Sequence, residues 1–174
     1  MKQNSSRIIF GIALILLGVI FLLRSLLHID ISGLILPVFF VLGGGVFFYV
    51  FGSNTEKWWA LIPGFTLAGV GGYIGLQDLA PGFASQFGSG FFLAMIGLSF
   101  LVIYLTQRDL WWAIIPAGVL FTLALVSVVP SSSGSFQGAV FFLGLAATFA
   151  VLGLMPVGRR DKWPWIPAGI CALI

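Results

Sequence analysis

A short phrase occurs three times in this chain, as Trp58-Trp59-Ala60-Leu61-Ile62-Pro63-Gly64, Trp111-Trp112-Ala113-Ile114-Ile115-Pro116-Ala117 and Trp163-Pro164-Trp165-Ile166-Pro167-Ala168-Gly169. Each copy follows a small charged cluster (Glu56-Lys57, Arg108-Asp109, Arg159 to Lys162) and opens a long apolar run. The prolines lie 53 and 51 residues apart (116 − 63 and 167 − 116). A membrane helix needs about 20 apolar residues, so that interval holds two such helices with their turns. The repeating unit reads as a two-helix hairpin, and a chain of such units reads as an all-α membrane protein.

Composition supports the same class. Charged residues are 7% of the chain and hydrophobic ones 60%, with a mean hydropathy of +1.14, whereas a soluble domain carries about 25% charged residues. A water-facing surface cannot be assembled from so few charges. The pI near 9.4 does not point to nucleic acid. Basic residues stand one to three at a time beside apolar runs, the pattern of membrane flanks, and not in a patch interleaved with stacking aromatics. The single cysteine, Cys171, allows neither an internal disulfide nor a thiolate metal site.

Hydropathy predicts a helical bundle of seven transmembrane helices, at about 8–27, 34–51, 58–77, 90–106, 111–129, 136–155 and 163 onward. They form hairpins over 8–51, 58–106 and 111–155 within one transmembrane domain. The longest connection, Gln77 to Ser89, contains Asp78, Pro81, Gly82 and Gly88 and reads as an extramembrane turn, with Pro130 to Ser135 as its counterpart. The start, Met1 to Arg7 followed by Ile8 to Leu23, resembles a secretory signal but has no small-x-small cleavage site after Leu27, so an uncleaved anchor is expected. At the other end, Trp163 to Ile174 supplies about 18 Å of helix against about 30 Å of hydrocarbon. The sequence is therefore expected to continue beyond Ile174.

Orientation follows from charge. Lys2, Arg7, Lys57, Arg108, Arg159, Arg160 and Lys162, seven of the eight basic residues, fall on one side of the predicted topology, and only Arg24 falls on the other. Basic loops are retained in the cytoplasm, which predicts an inner (plasma) membrane protein with a cytoplasmic amino terminus. Trp58, Trp59, Trp111, Trp112, Trp163 and Trp165 then lie at the cytoplasmic interface, where an indole buries its ring and keeps its N–H near water. Pro63, Pro116 and Pro167 stand about 6 Å of helical rise from that interface, against about 15 Å for a midplane break. First-turn proline removes an N–H that has no intrahelical partner, so these prolines read as helix starts and not as broken helices around a transport site.

Glycine is abundant, at 23 residues. Gly71 with Gly75, and Ala68 with Gly72, form small-xxx-small pairs that let a neighbouring backbone approach closely. The run Gly69 to Gly75 is neither a dinucleotide loop, lacking the spacing and the preceding strand, nor an ion filter, lacking a pore helix.

No Asp, Glu, Lys or His lies inside any predicted helix, which argues against proton relays and ion-coupled transport. Most of the intramembrane polar residues Tyr49, Thr66, Tyr73, Ser99, Tyr104, Thr122, Ser127 and Thr148 are expected to bond back to their own helix or to a neighbour. His28, Asp30 and Asp78 read as solvated interfacial groups. No catalytic, cofactor-binding or metal-ligating residue is predicted. The expected role is non-catalytic, structural or partner-binding, with membrane lipid, a membrane-protein partner or a second copy of the chain as contacts. The alternative is a facilitator or channel for a neutral or apolar solute, which a continuous cavity lined by the tyrosines and threonines would favour.

The segment Gly11-Ile12-Ala13-Leu14-Ile15-Leu16-Leu17-Gly18-Val19-Ile20-Phe21-Leu22-Leu23, a short polar link, Leu34-Ile35-Leu36-Pro37 and Gly43-Gly44-Gly45 together resemble the amino-terminal hairpin of the LiaF-like transmembrane region of bacterial envelope proteins. The resemblance covers residues 11–48. It implies a bacterial inner-membrane location and, since members of that group include envelope-stress regulators, an envelope-regulatory role exerted through protein partners.

Overall fold

A computed structural model describes residues 35–130, 134–155 and 163–173 of the protein. The expected helix at 8–27, the residues His28 and Asp30, and the basic residues Lys2, Arg7, Arg24, Arg159, Arg160 and Lys162 lie outside the described residues. The described ones belong to one compact unit, Gly33–Ile174, and are helical throughout: α1 (Ile35–Ser53), α2 (Leu61–Leu79), α3 (Pro81–Thr106), α4 (Ile114–Val128), α5 (Gly134–Leu154) and α6 (Trp165–Leu173). Five helical segments, α1 to α5 with the turns that lead into α2 and α4, are long and apolar enough to cross a membrane. The protein thus has the make-up of a multi-pass membrane protein.

Two short 3-10 turns, Trp58–Ala60 and Trp111–Ala113, lead into α2 and α4. Their backbones match: the preceding residue has φ −84°, ψ 47° at Lys57 and φ −85°, ψ 50° at Leu110. In each, the alanine N–H donates to the carbonyl three residues back, Ala60 to Lys57 at 3.0 Å and Ala113 to Leu110 at 3.1 Å. The alanines are fully buried, so a larger residue at either position has no room.

The expected turn from Gln77 to Ser89 is not there. Ala80, at φ −146° and ψ 67°, ends α2 alone, and α3 starts at once with Pro81. Proline at a helix start has its φ preset and loses no intrahelical bond. Gly82 and Gly88, which look like turn residues in sequence, are helical, as is Gly90. Gly88 and Gly90 are small because something sits on them: Tyr73 on Gly88, and the Ala124 carbonyl and Ser127 hydroxyl on Gly90. With 26 residues, α3 is about 39 Å long and exceeds about 30 Å of hydrocarbon, so it tilts or projects its first turns into the headgroup layer.

Consecutive helices run antiparallel, and each packs chiefly on its neighbours in the chain: α1 on α2, α2 on α3, α3 on α4, α4 on α5, and α5 on α6. The described helices follow one another in a row. Lipid tails are as apolar as leucine, so no hydrophobic force draws distant helices together, and the short turns keep sequence neighbours adjacent.

The row repeats its contacts. Gly44 of α1 abuts the Gly64 carbonyl and Ala68 of α2, and 53 residues on, Gly97 of α3 abuts the Ala117 carbonyl and Leu120 of α4. Near the other end, the Pro37 carbonyl meets Gly71, while Gly90 meets the Ala124 carbonyl. Residues 37, 44, 64 and 71 thus stand to one another as 90, 97, 117 and 124 do.

Candidate functional site

The tryptophan phrases assemble one end of the row. Trp58 and Trp112 meet edge to face with ring centroids 5.8 Å apart, and Phe100 meets Trp112 at 6.4 Å. Beneath them Leu61, Ile103 and Ala113 form a buried cluster. Gln107 Nε2 donates to the Thr55 carbonyl at 2.9 Å, tying one charged loop to the next. The Arg108 guanidinium lies over the Tyr104 ring, 4.7 Å from its centroid, which holds a cation at the rim of the apolar span. Trp59 is half-exposed and touches Phe47 at 6.4 Å, and Trp111 is partly buried.

The third phrase sits at the start of α6. Trp163 packs edge to face on Phe149 at 6.4 Å, and Trp165 lies over Gly153, where a methyl would come within 2.8 Å of the indole. Pro63, Pro116 and Pro167 are each the third residue of their helix. None of these helices is interrupted at its proline, and the residues one beyond them, Gly64, Ala117 and Ala168, are all buried.

Among the small-residue positions singled out in sequence, Gly71 is the tightest. A methyl there would stand 2.6 Å from the Pro37 carbonyl oxygen and 2.9 Å from Val41 Cγ2. Gly72 faces the other neighbour, where a methyl would stand 3.0 Å from Phe91, and a methyl on Gly44 would stand 3.5 Å from that of Ala68. Gly75 differs: its nearest neighbour, Pro37 Cβ, is at 3.6 Å, an ordinary contact. Helix α2 therefore uses Gly71 against α1 and Gly69 and Gly72 against α3.

A second packing device escaped the sequence reading. Thr148 of α5 sits in the notch of Gly118 on α4, and Thr122 of α4 sits in the notch of Gly144 on α5. Each hydroxyl also donates to the glycine carbonyl four residues before it on its own helix, Thr122 to Gly118 and Thr148 to Gly144, both at 2.8 Å. The signal in the sequence is Gly-x-x-x-Thr at 118–122 and again at 144–148. Only the antiparallel register of the two helices makes the pairs reciprocal.

The hydroxyls of Thr66, Ser99 and Ser127 are also bonded within their helices. Thr66 donates to Ile62 at 2.8 Å, fully buried Ser99 to Ile96 at 2.7 Å, and Ser127 to Ala124 at 2.7 Å. No buried side-chain N or O lacks a partner among the described residues. Nor do they contain a group of three His, Cys, Asp or Glu able to hold a metal ion. No protein-family model, curated protein or solved structure matches the chain.

Proposed function

We propose that this protein is a non-catalytic membrane protein that recognises partners through helix faces, seven-spanning with a cytoplasmic amino terminus and assembled from tandem two-helix repeats in a bacterial inner membrane. The observation that carries this reading is the state of the polar side chains: Thr66, Ser99, Thr122, Ser127 and Thr148 are all engaged by their own helices. A transport path or an active site needs such groups free to meet a solute. The matched contacts 53 residues apart support the tandem repeat, and the seven-to-one basic asymmetry supports the orientation.

The face a partner would use is on α1. Leu42, Gly45, Val46, Tyr49 and Gly52 follow helical spacing, the three larger side chains are exposed, and among the described residues nothing would lie within 4 Å of a methyl on either glycine. An envelope-regulatory setting fits the LiaF-like resemblance of residues 11–48. Affinity capture in mild detergent tests the role. A stoichiometric membrane-protein partner is expected, released by Gly45→Leu at unchanged thermal stability. Capture of no partner, together with solute flux through proteoliposomes carrying the protein, would establish the facilitator instead.

A further inference from the structure

Two apolar grooves open between successive helices at membrane depth. The first, of about 230 Å³, is walled by Pro37, Val38, Val41 and Leu42 of α1 and Gly75 of α2, with Asp78 at its mouth. The second, of about 400 Å³, lies between α3 and α4. Its residues Gly90, Phe91, Ala94 and Val128 stand 53 positions after Pro37, Val38, Val41 and Gly75. Four lining positions therefore recur in one register at the two grooves.

The mouths differ. Asp78 lies in the last turn of α2 and is exposed. The closing carbonyls of a helix carry partial negative charge that adds to that of a carboxylate beside them. The only basic residues among the described ones, Lys57 and Arg108, stand at the opposite ends of α2 and α3. With its leading turn, α2 covers 22 residues, about 33 Å, so Asp78 sits at the membrane interface remote from Lys57. The second groove has no charged residue in its lining.

We propose that the first groove binds phosphatidylethanolamine, one acyl chain lying between α1 and α2 and the primary ammonium resting against Asp78. The occupant follows from charge and donor complementarity. A protonated amine offers N–H donors to a carboxylate, a choline offers positive charge without a donor, and a glycerol headgroup leaves the phosphate's negative charge unopposed. Apolar walls accept the chain of any of the three, so the headgroup decides. This binding requires only that α1 and α2 cross a membrane; it shares Leu42 with the face proposed for a partner but needs no partner to occur.

Delipidated protein in mild detergent is incubated with phosphatidylethanolamine, phosphatidylcholine or phosphatidylglycerol of identical chains, and the lipid retained per chain is read by native mass spectrometry. One equivalent of phosphatidylethanolamine is expected, held about fivefold more tightly than phosphatidylcholine and more tightly still than phosphatidylglycerol. Asp78→Asn should remove that preference without changing the melting temperature. Leu42→Trp, which fills the groove from its α1 wall, should lower retention of all three lipids by the first-groove equivalent. Equal retention of the three lipids by the native chain, or a preference that survives Asp78→Asn, overturns the proposal.

Discussion

Gly71 and Gly75 are a residue-scale lesson in how alike two positions look in sequence and how unlike they are in space. Both belong to one small-xxx-small pair on α2, yet a side chain at Gly71 meets a carbonyl oxygen of α1 and one at Gly75 meets only the edge of a proline ring at 3.6 Å. Backbone cannot step aside as a flexible side chain does, so overpacking at Gly71 forces the helices apart. Gly71→Ala is expected to destabilise by about 1–3 kcal/mol. Gly75→Ala should be neutral or stabilising by up to about 1 kcal/mol through helix propensity. Thermal unfolding in detergent reads both, and a Gly75→Ala loss as large as that of Gly71→Ala would contradict the contact geometry.

Between α4 and α5 the element-scale device is the reciprocal pair of threonines and glycines. Because Thr148 occupies the Gly118 notch, Gly118→Ala and Thr148→Ala should not act independently. Each single change is expected to lower stability, and the double variant should recover part of the sum, with a coupling of about 0.5–3 kcal/mol. Gly118→Ala combined with Thr66→Ala, whose hydroxyl bonds to Ile62 on α2, should be nearer additive; equal coupling in both combinations would mean that the notch is not the unit. At the start of α2, Pro63→Ala should shift stability by no more than about 0.5 kcal/mol, since a third-position residue gives up no α-helical bond.

At the scale of the whole molecule, sidedness is the property to measure. Ser53 closes α1 beside Lys57, and Ser85 stands in the first turns of α3, at the other end of the row, both exposed. In a chain carrying Cys171→Ser, a cysteine placed at Ser85 should react with an impermeant reagent added outside intact cells, and one at Ser53 should not. Labelling of Ser53→Cys alone would invert the topology.

Hydropathy and the recurring tryptophan phrase were enough to read an all-helical membrane protein, its main spans and the beginnings of α2 and α4, because those features depend on segment length, apolar content and first-turn proline. The loop expected before residue 90 misread Pro81, Gly82 and Gly88. Proline and glycine signal a turn in water, but here proline opens a helix and Gly88 accommodates the Tyr73 ring. Which glycines are tight, the Thr122–Gly144 and Thr148–Gly118 pairing, and the groove that brings Asp78 near Pro37 all depend on the register between antiparallel helices. That register is set by side chains far apart in the chain meeting at close range, and no local pattern carries it.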